Sequence, residues 1–202
     1  MLDRAHALAE RQAPIEALVI GASAGGIEAL RVLLPPLAVG LRVPVIVVVH
    51  LPPRRKSLLP ELFRSLCHVP VHEPVDKEPV GTGRIWFAPP DYHLLVERDR
   101  RFAVSIDSPV NFSRPSVDVL FEAAAYAYGP GVTAVVLSGA NEDGAIGART
   151  IRQQGGQVYV QAPELAVVST MPDSAIRLAA PQFVGSLPEI AALLRDSRGW
   201  FT

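Results

Sequence analysis

Cysteine is almost absent: Cys67 is the only one in 202 residues. That excludes an internal disulfide framework and a cysteine-rich zinc site. Neither sign of charge dominates. Nineteen Lys and Arg stand against twenty Asp and Glu, a formal net charge of -1, so the basic footprint of a nucleic-acid binder is missing. Long apolar runs are missing too, since Pro44–Val49 with its neighbours is about the longest and a membrane helix needs roughly 20 residues. The opening stretch, MLDRAHALAERQAP, mixes both charges and contains no apolar core, so it does not read as a secretory signal. The expectation is a cytoplasmic protein without membrane insertion: an N-terminal tail over 1–14, then one domain over 15–196. At this length such a domain buries roughly 70% of its unfolded surface and needs no metal or disulfide to hold together.

What is present is an alternation. Ile15 to Ile20 is a short β-branched run ended by the turn GASAGG at 21–26. Ile27 to Leu37 reads as an amphipathic helix stopped by Pro35 and Pro36. Val43 to Val49 is apolar on successive residues, as a parallel strand covered on both faces should be. Ser57 to Leu66 reads as a helix with Ser57 as N-cap. Arg84 to Ala88, Tyr92 to Glu97 and Phe102 to Ile106 are three short strand-like pieces that suggest an antiparallel insertion. The alternation then resumes: helix from Ser116 to Tyr128, strand from Val132 to Leu137, helix from Asp143 to Gln154, strand from Gln157 to Gln161, and helices from Pro172 to Ala180 and Leu187 to Leu194. This pattern predicts an α/β fold: a doubly wound, mostly parallel sheet, helices on both faces, and an inserted antiparallel hairpin.

Ligands of such folds bind beyond the carboxyl ends of the strands. Three of those ends carry chemistry. Gly21-Ala22-Ser23-Ala24-Gly25-Gly26 can be read as a dinucleotide turn. Ser23 then replaces the second glycine, and His50 stands where the ribose-binding acid belongs. Read as G-x-S-x-G, it is a nucleophile elbow with Ser23 exposed above a helix N-terminus. Ser23 as a plain helix N-cap is the third option. His50, directly after VPVIVVV, is either a core histidine bonded to the backbone or a general base. Asp143, in Leu137-Ser138-Gly139-Ala140-Asn141-Glu142-Asp143-Gly144, is either a helix N-cap, a role for which Asn141 competes, or the carboxylate that orients His50. Glu142 is an alternative acid. Of the remaining histidines, His6 lies in the tail, His68 and His72 flank a connection and His93 starts a hairpin strand; none ends a central strand. Three strand ends converging on one edge favour a Ser23–His50–Asp143 site. Its chain order differs from the Ser-acid-His order of α/β-hydrolases.

At these residues the sequence resembles the catalytic domain of the bacterial chemotaxis protein-glutamate methylesterases, the CheB family. The matching pieces are VIGASAGG (19–26), VVVHLPP (47–53), SLLPELF (57–63), FAPPDYHLLV (87–96), RPSVDVLFEAAA (114–125), VVLSGANEDGA (135–145) and MPDSAI (171–176). The resemblance implies a serine hydrolase that removes methyl esters from glutamyl side chains of chemoreceptors, releasing methanol, with glutamine deamidation as a second activity. It implies a triad of Ser23, His50 and Asp143, with oxyanion amides from Ala24, Gly25 and Ala140, and no metal or cofactor. The partners it implies are methylated chemoreceptor proteins. Many members carry a receiver domain before the catalytic one. A catalytic unit alone would be constitutively active or governed by a separate regulatory partner. The rival readings are a nucleotide-binding module, a non-catalytic receptor-binding adaptor, and an esterase or amidase acting on another ester.

The departures from the family pattern are local. Ala22 and Ala24 occupy positions that often hold Ser or Thr, and Gly139-Ala140-Asn141 replaces Gly-Met-Gly. The smaller Ala140 implies a wider pocket. Arg54-Arg55-Lys56 replaces a glycine-aromatic stretch and reads as either a site for an acidic partner surface or a solvated basic loop.

Overall fold

The structure is a computed structural model and describes residues 13–51 and 57–200. Most of the tail, His6 and Arg54-Arg55-Lys56 lie outside the described residues. Among the described residues nine strands and six α-helices follow in order: β1 (Ala17–Ala22), α1 (Gly26–Ala38), β2 (Val45–Val49), α2 (Leu59–Cys67), β3 (Val71–His72), β4 (Ile85–Phe87), β5 (His93–Val96), β6 (Phe102–Ser105), α3 (Val117–Tyr128), β7 (Val132–Val136), α4 (Ala145–Gln153), β8 (Gln157–Gln161), α5 (Thr170–Ala179), β9 (Phe183–Gly185) and α6 (Leu187–Asp196). Seven strands form one sheet in the order β3-β4-β2-β1-β7-β8-β9, every pair parallel. β5 and β6 form a separate antiparallel hairpin. No helix among the described residues is long and apolar enough to cross a membrane.

The strand alternation decides which helix lies where. On β1 and β2, Leu18, Ile20, Val45 and Val47 face one layer, with α1, α2 and α6 supplying Leu30, Leu33, Phe63, Ile190 and Leu194. Ala17, Val19, Ile46 and Val48 face the other, where α3, α4, α5 and the hairpin contribute Phe121, Ile151, Met171, Leu94 and Phe102. Central strands buried on both sides read as apolar runs, unbroken in β2 and interrupted only by Thr133 in β7, which is why both were legible as such.

Two expectations are corrected. α1 is not stopped by Pro35 and Pro36; it runs through both to Ala38. Leu33, Leu34, Leu37 and Ala38 are buried, and their packing carries the helix on. The carbonyls left without donors, on Arg31 and Val32, belong to exposed residues that water can serve. Likewise, the stretch around Arg84–Ala88 is not part of the antiparallel insertion. Its β4 pairs in parallel with β2, because Ile85, Trp86 and Phe87 are apolar on both faces and all buried. Two short edge strands, β3 and β9, have no counterpart in the sequence reading.

Chain order places the edge that matters. From β1 the chain builds β2, β3 and β4 on one side, and β7 then pairs with the other side of β1. Strand order therefore reverses at β1/β7, and the crevice beyond their carboxyl ends is the expected ligand position.

Candidate functional site

The turn after β1 is built for a close approach. Gly25 is the N-cap of α1, in the left-handed region at φ 77°. A β-carbon there would lie 2.5 Å from Val167 Cβ, so only glycine fits. Ser23 is not the N-cap and does not cap α1 with its side chain. Its amide donates to Ser138 O at 2.9 Å, and its carbonyl accepts from Gly26 N at 2.8 Å. The residue is half-buried. Among the described residues none hydrogen-bonds the Ser23 hydroxyl, and none accepts from the amides of Ala24, Gly25 or Ala140.

His50 arrives from the neighbouring strand. Ala22 pairs with Val49 in the β1–β2 register, and His50 N donates to Ala22 O at 3.1 Å. Ser23 and His50 thus leave adjacent strands, which run about 4.8 Å apart. The imidazole is 12% exposed, and its Nε2 lies 2.8 Å from Asp143 Oδ2. Its Nδ1 faces Ser113 Oγ at 3.4 Å.

Asp143 is wholly buried and lies just ahead of α4, whose N-cap is Gly144. It caps nothing there; instead it points at the N-terminus of α3. Oδ1 accepts from Ser116 Oγ at 2.7 Å, Asp118 N at 3.0 Å and Asn111 Nδ2 at 3.1 Å. Oδ2 accepts from Val117 N at 2.6 Å and faces the imidazole. Burial pushes this carboxyl up, but the hydrogen bonds from His50, Val117, Asp118 and Ser116 outweigh it and hold the group below its ordinary value. The α3 dipole favours the same charge. An ionised carboxylate has only acceptors, so Nε2 carries a proton toward it. The lone pair of the neutral ring is then on Nδ1.

Residues outside the sequence reading hold the edge together. Ser138, fully buried, donates through Oγ to Ala24 O at 2.6 Å and accepts from Val168 N at 2.9 Å. Its own amide is held by Gln161 Oε1 at 2.9 Å. That one residue fastens the Ser23 turn to the loop containing Gly139 and Ala140. Gly139 must be glycine: a β-carbon would fall 1.9 Å from Met171 Sδ and 2.9 Å from Ser23 Cβ. Asn111 Nδ2 bridges Asp143 and Asp118, reaching the latter at 2.9 Å. Asp118 is buried, and burial, aided by the nearby charge of Asp143, pushes its carboxyl up to about 6. Gly147 N and the Asn111 amide temper that rise.

The other candidates fall elsewhere. Asn141 accepts from Asp143 N through Oδ1 and donates to Ser113 Oγ. Glu142 is exposed and pairs with Arg177 at 3.3 Å. His93 accepts from Ser116 N at Nδ1 and donates from Nε2 to Ser108 O, bracing the α3 N-terminus. His72 packs on Trp86, and His68 is the C-cap of α2. A helix N-terminus was legible at Ser116. That it would serve a carboxylate from another loop was not, because no local pattern encodes that pairing.

A cleft of about 430 Å³ opens over His50, lined further by Leu51, Asp91, Phe112, Ser113 and Arg114. A polar hydroxyl, an imidazole and an ionised acid on adjoining strand ends, beside amides with no described acceptor, can perform acyl transfer.

Known proteins share this architecture. Residues 18–194 match the family model described as CheB methylesterase. A Leptospira interrogans protein named "Putative protein-glutamate methylesterase/protein-glutamine glutaminase" is 43% identical over 178 residues, 88% of this chain and 92% of its own length. A protein-glutamate methylesterase/protein-glutamine glutaminase of Trichodesmium erythraeum is 40% identical over 161 residues, 78% of this chain and 46% of its own. The crystal structure of the Thermotoga maritima CheB methylesterase catalytic domain matches with a TM-score of 0.84 at 31% identity, covering 90% of this chain and 98% of that one.

Proposed function

We propose, from the premise that this chain belongs to the CheB methylesterase family, that it hydrolyses γ-glutamyl methyl esters on methylated chemoreceptor proteins and deamidates receptor glutamines at the same site. The observation that carries the reading is the contact between His50 and the buried Asp143 at the strand end next to Ser23. Residues 15–196 are the catalytic domain, residues 1–14 a tail, and the cytoplasm the place of action.

In this reading Ser23 Oγ attacks the ester carbonyl while His50 Nδ1 takes the hydroxyl proton. Asp143 stays ionised and stabilises the imidazolium through Nε2. The amides of Ala24, Gly25 and Ala140 receive the oxyanion. Collapse breaks the bond to methoxide, which leaves as methanol with the proton from Nδ1. Water then attacks the acyl-enzyme, giving its proton to Nδ1, and the glutamate carboxylate departs as Ser23 is reprotonated. A glutamine substrate follows the same course with ammonia as leaving group.

The test is methanol release from methyl-labelled receptors in membranes. Wild-type protein should release it, and Ser23→Ala should release none while keeping its melting temperature. An active Ser23→Ala protein would sink the assignment.

A further inference from the structure

We infer that Phe112 is a docking residue for the protein that bears the ester. This rests on the esterase reading above and adds a surface to it. Phe112 is the most exposed large apolar side chain among the described residues, at 105%. It lines the cleft over His50 together with Leu51 and Pro109. The same stretch also exposes Ile106 and Val110.

The exposure is built in. Asn111 and Phe112 are consecutive non-glycine residues in the left-handed region, at φ 50° and φ 59°. Asparagine adopts this region readily, but phenylalanine costs roughly 1–2 kcal/mol there and persists only where the surroundings enforce it. The enforcement is visible: Val110 and Ser113 exchange reciprocal backbone hydrogen bonds at 3.1 and 2.9 Å, and the Asn111 side chain is anchored on two buried carboxylates. A strained turn, clamped from inside, holds a phenyl ring out in water at the mouth of the site. The turn's anchoring runs through Asn111, while the Phe112 ring itself is left fully exposed.

Substrate geometry supplies the reason. A glutamyl side chain is short, so its ester carbonyl reaches the groups beside His50 only if the substrate's backbone comes up to the cleft that His50 lines. The protein surface flanking the ester then lies on the rim, and Phe112 is covered when the complex forms. The matching patch is apolar: methyl, methylene or aromatic groups of residues flanking the modified glutamate on the substrate's surface. Covering one phenyl side chain in this way corresponds to roughly tenfold or more in affinity. A small free ester brings no flanking protein surface to cover the ring, so it draws far less on this contact.

The experiment compares two substrates. Phe112→Asn keeps a residue that accepts left-handed backbone and removes the apolar ring. On methylated receptor its KM should rise about tenfold with kcat unchanged, while kcat/KM for p-nitrophenyl acetate should change far less, by no more than about twofold. Phe112→Leu should restore most of the affinity. An unchanged KM on receptor overturns the inference, as does an equal loss on both esters, which would place Phe112 within the chemistry or the folding of the loop. If the wild type releases no methanol from receptor, the esterase reading fails and takes this inference with it. An active wild type with an indifferent Phe112→Asn variant fails the inference alone.

Discussion

Replacing Asp143 by asparagine tests the site at its most constrained point. The carboxylate receives five protein donors, two of them backbone amides at the start of α3. The amide can be inserted in two ways. If its nitrogen takes the Oδ1 position, Asp118 N and Asn111 Nδ2 both lose an acceptor and face a donor. If the nitrogen takes the Oδ2 position, only Val117 N is orphaned, because the imidazole can adapt by accepting at Nε2. The second arrangement costs one unpaired buried donor instead of two, at about 1–3 kcal/mol each, and is therefore adopted. It forces the ring proton onto Nδ1, the nitrogen that should take the Ser23 proton. A wrong tautomer lowers kcat about 10⁴-fold, or some 5 kcal/mol of barrier. The single orphan lowers stability by about 1–3 kcal/mol, and so the melting temperature by several degrees without unfolding the domain. Methanol release gives the rate, and ¹⁵N-histidine NMR reads the tautomer directly. A variant within tenfold of wild type, still protonated at Nε2, would refute the reasoning.

Gly139→Ala brings a methyl against Met171 and Ser23; overpacking of this kind costs about 1–3 kcal/mol. It should therefore lower both the melting temperature and kcat, read by calorimetry and methanol release. The pH dependence of stability should have two opposed components. Asp118 is held near 6 in the folded protein, so between roughly pH 4 and 6 the native state keeps a proton that the unfolded chain has released, and stability falls as pH rises, by on the order of 3 kcal/mol. Asp143 is shifted the other way; its contribution is present above about pH 4 and is lost as pH falls through its lowered folded value. Urea denaturation from pH 3 to 7 should show a maximum on the acid side that Asp118→Asn flattens; a profile identical in that variant would count against the assignment.

Much of this was legible in the chain because the central strands declare themselves. VPVIVVV is apolar on every residue and VTAVVL on all but Thr133, and each is followed at once by polar groups. Position at a strand end was enough to single out Ser23, His50 and Asp143. The short elements were hidden for the opposite reason. β3 has two residues and β9 three, too few to show a period, and their pairing partners decide them. α1 ran past Pro35 and Pro36 because its tertiary packing outweighs two missing amide donors. At the site, four of the five donors around Asp143 come from 25 to 32 residues away, His50 from 93, and the Ser138 bond to Ala24 spans 114. A local reading assigns such side chains to caps and turns, since the partners that give them their role become neighbours only after the sheet assembles.

The orientation of His50 has a mechanical consequence. Nδ1 is two bonds from the β-carbon, whereas Nε2 is three. With Nε2 committed to Asp143, the nitrogen left for the serine is the one on the shorter arm. Its position is set less by side-chain rotation than by where strand β2 ends. That end is pinned to Ala22, the residue before Ser23, by a backbone hydrogen bond. The proposed nucleophile and base therefore share one piece of backbone as their common ruler. Relative motion of β1 and β2, rather than a change of rotamer, is what would detune the pair.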